Sequence, residues 1–568
     1  MSGVFVDRIE MQNRLFAELS SMFGQEVPLY DKSLLVNLVC NRAVCALLGE
    51  RYEGLSLSDA DIERTSGERH GAIRIGRPDE YRWIGRFFGV FAMEPHNFYD
   101  MTALGAKSQP VISTAFRSAV NPEHRVFSSL LMTDYFDAET QARVEKLLSG
   151  RQVFSDRAKA LIEKSERQGG LDREDADALI AEGTERIFKW MGTARDHGLY
   201  KDLCKGGFKI AADVACFNSH HLNHLTPNTF CMDLYTAAMR HALGEHDRAG
   251  FVARAERALE QLLVDADRDY LVLHFKHLAK TEIDGFDEKV VAEGAVERIA
   301  AALADRLAEA DLDLSGLDHS GFKDYTEGPA VGVPVLLRQD AYKALTEAVS
   351  FANEDGTTTE TEHTARFGEI EQRFYSTTPA GRELYDRCLA KHEKTRAERP
   401  NLVKEDYPTY QAAQAEAFSA FPRKLSELLA RGLVYGKYEP TAAGLAAAGT
   451  LEQTDLMSLA AAGYVRIDGL RYEDFLPFSA AGIFASNLNQ YGTASTSTER
   501  RTYQQSDLEE ILGRPIIDVN VAYRGIEAKS KLDTYERLGL IERLDAAVLA
   551  ELREAAAGAP EGLDLMAV

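Results

Sequence analysis

Two glutamates stand two residues apart in "RFGEIEQRFYS", residues 366–376. In a strand, residues i and i+2 share a face. The run then places Phe367, Glu369, Glu371 and Arg373 on one side, with Gly368, Ile370 and Gln372 on the other. Side-by-side carboxylates must be solvated, paired or bound to a cation. The plain interpretation is a solvent-facing edge strand with Arg373 as counter-ion. The chemical one is a carboxylate ligand for a metal, and it needs imidazole partners. Of 14 histidines, His70 lies in "ERHGAIRIG", and His220, His221 and His224 cluster in "SHHLNHLTP". His220 and His224 share a face on a strand or on a helix, and Pro227 makes a strand end or turn at least as good as a helix. Two histidines and one carboxylate form the facial set of non-haem Fe(II) oxygenases, which keeps positions open for substrate and O2. Spacing alone leaves open which histidine and which glutamate join such a set.

These residues lie far apart in sequence, so separate elements must bring them together. Residues 1 to about 60 carry helical periodicity, "ERHGAIRIG" and "QPVISTAFRS" read as strands, and "YRWIGRFFGVFAM" fits either. Residues 137–205, 232–312 and 383–433 are helical, as is the C-terminal stretch. Strand character returns in "GVPVLLRQD" and "RFGEIEQRFYS", with a polar loop or hairpin tip at 350–364. Residues 463–488 read as a hairpin followed by a loop. Helices and strands in separate runs predict an α+β fold.

The chain has 568 residues, 89 of them acidic and 65 basic, for a net charge of −24. That argues against nucleic acid as the main partner and against an anionic membrane surface. A small anionic substrate remains compatible, because one arginine pocket overrides the global charge. The N-terminus lacks the basic region and apolar core of a secretory signal, and no stretch of about 18 apolar residues occurs. Six cysteines without a CxxC pair read as reduced core thiols of a cytoplasmic protein.

Six pieces in order, "ERHGAIRIG", "PVISTAFR", "LNHLTP", "PVLLRQDAYKAL", "FGEIEQR" and "YEDFLPFSAAGIFASNL", resemble the 2-oxoadipate dioxygenase/decarboxylase family. It is also called hydroxyglutarate synthase and was formerly a domain of unknown function, DUF1338. "FGEIEQR" is also similar to the C-terminal metal strand of the 4-hydroxyphenylpyruvate dioxygenase group. The resemblance implies a vicinal-oxygen-chelate-like curved or partly closed sheet holding Fe(II), surrounded by helices. It implies metal ligands at His70, His224 and Glu369, with Glu371 as a paired neighbour. It further implies a substrate-binding arginine at Arg74, on the His70 face and about 13 Å along the strand, and substrate contacts at Phe478 and Ser479. The implied reaction converts 2-oxoadipate and O2 to 2-hydroxyglutarate and CO2, a step of lysine catabolism, with no further co-substrate. The domain organisation expected on this basis is an N-terminal helical part (1–60), a first half of the metal-binding core with a helical excursion (61–231), an acidic helical insertion (232–312), a second half of the core (313–500) and a C-terminal helical region and tail (501–568). The chain departs from the family in its longer gap between His224 and Glu369, in Phe478 where a smaller residue is usual, and in a divergent "MEPHNFYDM". His96 in that segment either lines the site or lies at the surface. The alternatives are the same iron chemistry on a different 2-oxo acid, or a metal-dependent lyase or isomerase that needs no O2.

Overall fold

The run "HGAIRI" forms β1 (His70–Ile75), buried along its whole length in a computed structural model of the chain. The residues described are 5–67, 70–102, 108–118, 123–312, 314, 316, 325–474 and 502–560, without the side chains of 342–346 and 364–367. Helix Pro78–Val90, begun by a proline whose missing N–H costs nothing at a helix start, leads to β2 (Met93–Asp100), β3 (Val111–Ser118) and β4 (Arg125–Leu131). Short strands β5 (Thr193–Arg195) and β6 (His224–Thr226) follow a helical stretch. Then come the long β7 (Leu337–Ala352) and β8 (Thr358–Arg373), and finally β9 (Gly436–Pro440) and β10 (Val465–Gly469).

β2, β3, β4, β1 and β6 form a five-stranded sheet in that order, and β8, β7 and β5 a three-stranded one. β1 runs parallel to β4, with His70 opposite Arg125, and antiparallel to β6, with His70 opposite Thr226 and Ala72 opposite His224. Residues directly opposite one another share a face, so His70, Ala72, Arg74, His224, Thr226 and Arg125 all point to one side. The other side of β1 carries Ile73 and Ile75, which pack with Phe87, Phe88 and Phe116 under helices Arg8–Glu26 and Pro78–Val90. Each such buried aliphatic side chain contributes about 1.5–3 kcal/mol. The site side of the sheet buries Ala72, Phe127 and Ala115 against helix Lys209–Cys216 and against Val349 and Phe351 of β7.

The sheets meet through backbone bonds just after β6. Glu371 N–H donates to Pro227 O at 3.1 Å, and Thr229 N–H donates to Glu371 O at 2.9 Å. Asn37 and Asn41 of helix Pro28–Arg51 hold the same loop, Asn37 Nδ2 donating to Asn228 O and Asn41 Oδ1 accepting from Phe230 N–H.

The mixed helix and sheet architecture matches the α+β expectation, and three local features add detail. Helices of the 232–312 block share one apolar cluster with helix Pro28–Arg51, Phe230 and Ile370, so this block is integrated with the N-terminal helices and backs the strand of Glu369. Among the described residues β10 pairs with β9, some thirty residues upstream, and residues 475–488 of the expected hairpin and loop lie outside the described residues. The aromatic run 81–93 splits into a helix followed by the start of β2. Among the described residues, helix Pro28–Arg51 is the one long and apolar enough to cross a membrane by composition, and half of its apolar window is buried inside the protein.

Candidate metal centre

His70, His224 and Glu369 are the three side chains that the described strands bring to one point, with ligand atoms all within 4.8 Å of one another. His70 Nε2 lies 3.7 Å and His224 Nε2 3.5 Å from Glu369 Oε2. The two rings are perpendicular, with centroids 5.5 Å apart. All three side chains are at most 2% exposed, so the plain interpretation of Glu369 and Glu371 as a solvated face is overturned. Glu369 Oε2 also accepts from Thr226 Oγ1 at 3.0 Å and from Gln339 Nε2. Position 71 is tight: a Cβ there would meet His224 O at 3.1 Å and Leu222 Cδ1 at 3.0 Å. Glycine therefore allows β6 to approach β1 closely enough to bring its histidine in.

Electrostatics prepare the imidazoles as neutral ligands. Burial pushes the pKa of His70 down to about 4, against the opposing pull of Glu371. Burial, followed by the nearness of His70 and Arg74, lowers that of His224 well below the usual range. Glu371 Oε2 lies 3.0 Å from His70 Nδ1. An ionised carboxylate only accepts, so Nδ1 carries the proton and Nε2 turns its lone pair toward Glu369 and His224.

Glu371 is held ionised. Burial alone would raise its pKa, and Arg373 and Arg125 outweigh that and hold it well below the usual carboxylate range. Arg373 donates to it through Nε at 2.6 Å and Nη2 at 2.9 Å, and Arg125 Nη2 joins them. Arg125 Nη1 reaches Glu473 Oε2 at 2.9 Å, and Arg373 Nη1 donates to the carbonyls of Tyr472 and Asp474. Arg373 is thus a counter-ion, as the sequence suggests, but a fully buried one.

Arg74 lies on the same face as His70, four residues on, with Nη1 3.3 Å from Asp213 Oδ2. Phe478 and Ser479 lie outside the described residues. His96 is 1% exposed on the site side of β2, so it is not a surface residue; its Nδ1 lies 2.7 Å from Glu94 O. His220 pairs with Glu80 at 3.2 Å, and His221 packs against Trp190 and Phe217. Of the three clustered histidines, only His224 joins the triad. Sequence reasoning missed Thr226, Gln339, Arg125, Glu473 and Asp213. Thr226 was within reach, because it follows His224 at strand spacing and must share its face. A cavity of about 1140 Å³ opens on the reverse side of β8, lined by Gln372, Arg338 and Asp340. It contains none of the triad, because alternate residues of β7 and β8 face opposite ways.

A mixed sheet that buries two imidazoles and a carboxylate around one point defines a protein with a candidate mononuclear metal site. Comparison with known proteins identifies which kind. The family model described as 2-oxoadipate dioxygenase/decarboxylase matches residues 15–249 and 277–487. A 2-oxoadipate dioxygenase/decarboxylase of Pseudomonas putida is 32% identical over 535 residues, spanning 93% of this chain and 96% of the relative. One from Escherichia coli is 30% identical, spanning 94% and 98%. The crystal structure of hydroxyglutarate synthase from Pseudomonas putida in complex with 2-oxoadipate matches with a TM-score of 0.64 at 29% identity, covering 94% of this chain and 99% of that one. The chain belongs to the 2-oxoadipate dioxygenase/decarboxylase family. The family model leaves 250–276 unmatched, a shorter stretch inside the 232–312 block.

Proposed function

We propose that this chain is a non-haem Fe(II) enzyme converting 2-oxoadipate and O2 to 2-hydroxyglutarate and CO2, with His70, His224 and Glu369 as its metal ligands. The observation that carries this is the buried convergence of those three side chains, in a member of this family, on the same sheet face as Arg74. The donor set fits the metal: two neutral imidazole nitrogens and one carboxylate suit Fe(II), and no thiolate belongs to the group. Bound Fe(II) would supply the redox chemistry that lets O2 react with the 2-oxo acid.

The chain's own residues do the rest. Glu371 fixes the tautomer and direction of His70, while Thr226 and Gln339 fix the Glu369 carboxylate. Arg373 and Arg125 keep Glu371 ionised, so His70 stays oriented without itself being charged. Burial of the site excludes bulk water and strengthens every charge interaction within it. Arg74 binds the far carboxylate of the substrate, for which a guanidinium offers a bidentate fork. Phe478 and Ser479 contribute further substrate contacts, on the strength of the family resemblance. The substrate carries its own oxidisable 2-oxo acid, so the atoms balance with O2 alone: the two oxygens lost as CO2 are replaced by the two of O2.

In this reading the 61–231 and 313–500 segments are the two halves of a vicinal-oxygen-chelate-like core, flanked by helical parts at 1–60, 232–312 and 501–568. The six cysteines are free thiols, which suits the cytoplasm. The test is anaerobic loading with Fe(II), metal analysis, and O2 uptake with a panel of 2-oxo acids. Uptake with 2-oxoadipate ahead of aromatic and branched 2-oxo acids supports the proposal. Loading without uptake on 2-oxoadipate refutes the substrate, and failure to load refutes the ligand set.

A further inference from the structure

Asp213, on helix Lys209–Cys216, has no part in the chemistry above and yet stands at its edge. It is 2% exposed, and three donors converge on it: Arg74 Nη1 on Oδ2 at 3.3 Å, His363 Nε2 on Oδ1 at 3.0 Å and Lys209 Nζ on Oδ1 at 3.3 Å. Burial alone would raise its pKa, and Lys209, His363 and Arg74 together outweigh this and keep it ionised. His363 is itself immobilised, stacked on Trp190 with ring centroids 5.4 Å apart and edge-on to Phe217 at 4.6 Å.

The placement of these donors matters more than their number. Arg74 follows His70 by four residues on β1, and His363 precedes Glu369 by six on β8. Two of the three strands that supply triad residues, β1 and β8, are therefore tied a second time, away from the triad, through one carboxylate on a helix. A free arginine side chain has rotamer entropy to lose on binding, and a binding group misplaced by about 1 Å costs up to about 100-fold in rate.

We propose that Asp213 is a positioning residue that fixes Arg74 at a set distance from the triad, and so selects the chain length of the dicarboxylic 2-oxo acid. His363 ties this anchor to the strand of Glu369, and Lys209 closes it from the helix side. The inference rests on the reading of Arg74 as the carboxylate clamp. Asp213 also draws on the charge of Arg74, so the anchor yields some attraction in exchange for position. Removing its charge then has opposite consequences under the two roles. A mere competitor, once removed, would improve binding of every dicarboxylate. A ruler, once removed, would blur the distinction between lengths.

The experiment compares five-, six- and seven-carbon 2-oxo dicarboxylic acids as substrates of the Fe(II)-loaded wild type, Asp213→Asn and His363→Gln, with metal content measured in each. For Asp213→Asn the expected result is a fall in kcat/KM for the six-carbon acid of about 10- to 100-fold, carried mainly by KM. The preference for six carbons over five and seven should collapse while metal content holds. His363→Gln should flatten the same preference to a smaller extent, and it stands in if Asp213→Asn does not fold. An equal change for all three lengths, or an unchanged preference, overturns the inference. Arg74→Met separates the two levels. If it leaves KM for dicarboxylates unaltered, the clamp itself is misassigned. If it raises KM while both other variants keep the length preference, only the role of Asp213 falls.

Discussion

Glu371→Gln removes one charge and almost no volume from the centre of the buried network. The side chain is completely buried and accepts from Arg373 at 2.6 and 2.9 Å and from Arg125, and its Oε2 lies 3.0 Å from His70 Nδ1. Two arginines, each fully buried, then lose the carboxylate they share. Breaking a buried ion pair by removing one partner costs about 3–5 kcal/mol, and the amide oxygen recovers only part of it. Independently, loss of an outer carboxylate that orients a ligating histidine lowers metal affinity about 10- to 100-fold. The variant should therefore unfold at lower urea concentration in its metal-free form, and it should hold Fe(II) about 10- to 100-fold less tightly in competition with a chromophoric chelator. Glu369→Gln provides the contrast: it should affect metal binding more and metal-free stability less. Wild-type affinity and stability in Glu371→Gln would refute the claim that this carboxylate both anchors the arginines and aims His70.

Three further outcomes follow from the same geometry. His224→Ala and Glu369→Ala should each abolish stoichiometric metal binding and turnover, measured by metal analysis after gel filtration and by O2 uptake; activity in either would remove that residue from the ligand set. Arg74→Ala should raise KM for dicarboxylic 2-oxo acids by at least about 10-fold, the loss of one charge-assisted pair, and leave metal content unaltered. The metal-free protein should weaken in acid. An unfolded histidine titrates near 6.5 and His70 in the fold near 4, so the unfolded chain binds more protons between those values. The contribution of neutral His70 is complete above about pH 6.5 and disappears as pH falls through 4, an amount of about 3 kcal/mol. Urea unfolding at pH 7, 5.5 and 4.5 measures it, and a flat profile would contradict neutral burial.

The strands at 70–75 and 366–373 are legible in the sequence because their side chains alternate with a period of two, and that period already puts Glu369, Glu371 and Arg373 together. What alternation does not report is depth. Glu369 and Glu371 look like solvated charges until β6 and the loop at Asn228 close over them, and those contacts link residues about 140 positions apart. The same holds for Arg125 and Glu473, whose pairing spans 348 residues. No local pattern records such a pair. The 232–312 block misleads in the opposite sense. Its charged composition marks it as an acidic helical insertion, while its apolar stripes complete the core under helix Pro28–Arg51 and behind Ile370. β9 and β10 are short, and their pairing depends on chain return rather than on turn chemistry.

The most direct test of the central claim is turnover of 2-oxoadipate under 18O2 by the Fe(II)-loaded protein, with the products weighed by mass spectrometry. Oxidative decarboxylation with hydroxylation predicts 2-hydroxyglutarate carrying two labelled oxygens, one in the new carboxylate and one in the hydroxyl group, together with unlabelled CO2. Turnover that proceeds without O2, or a product free of label, would contradict it and assign the site of His70, His224 and Glu369 to a different chemistry.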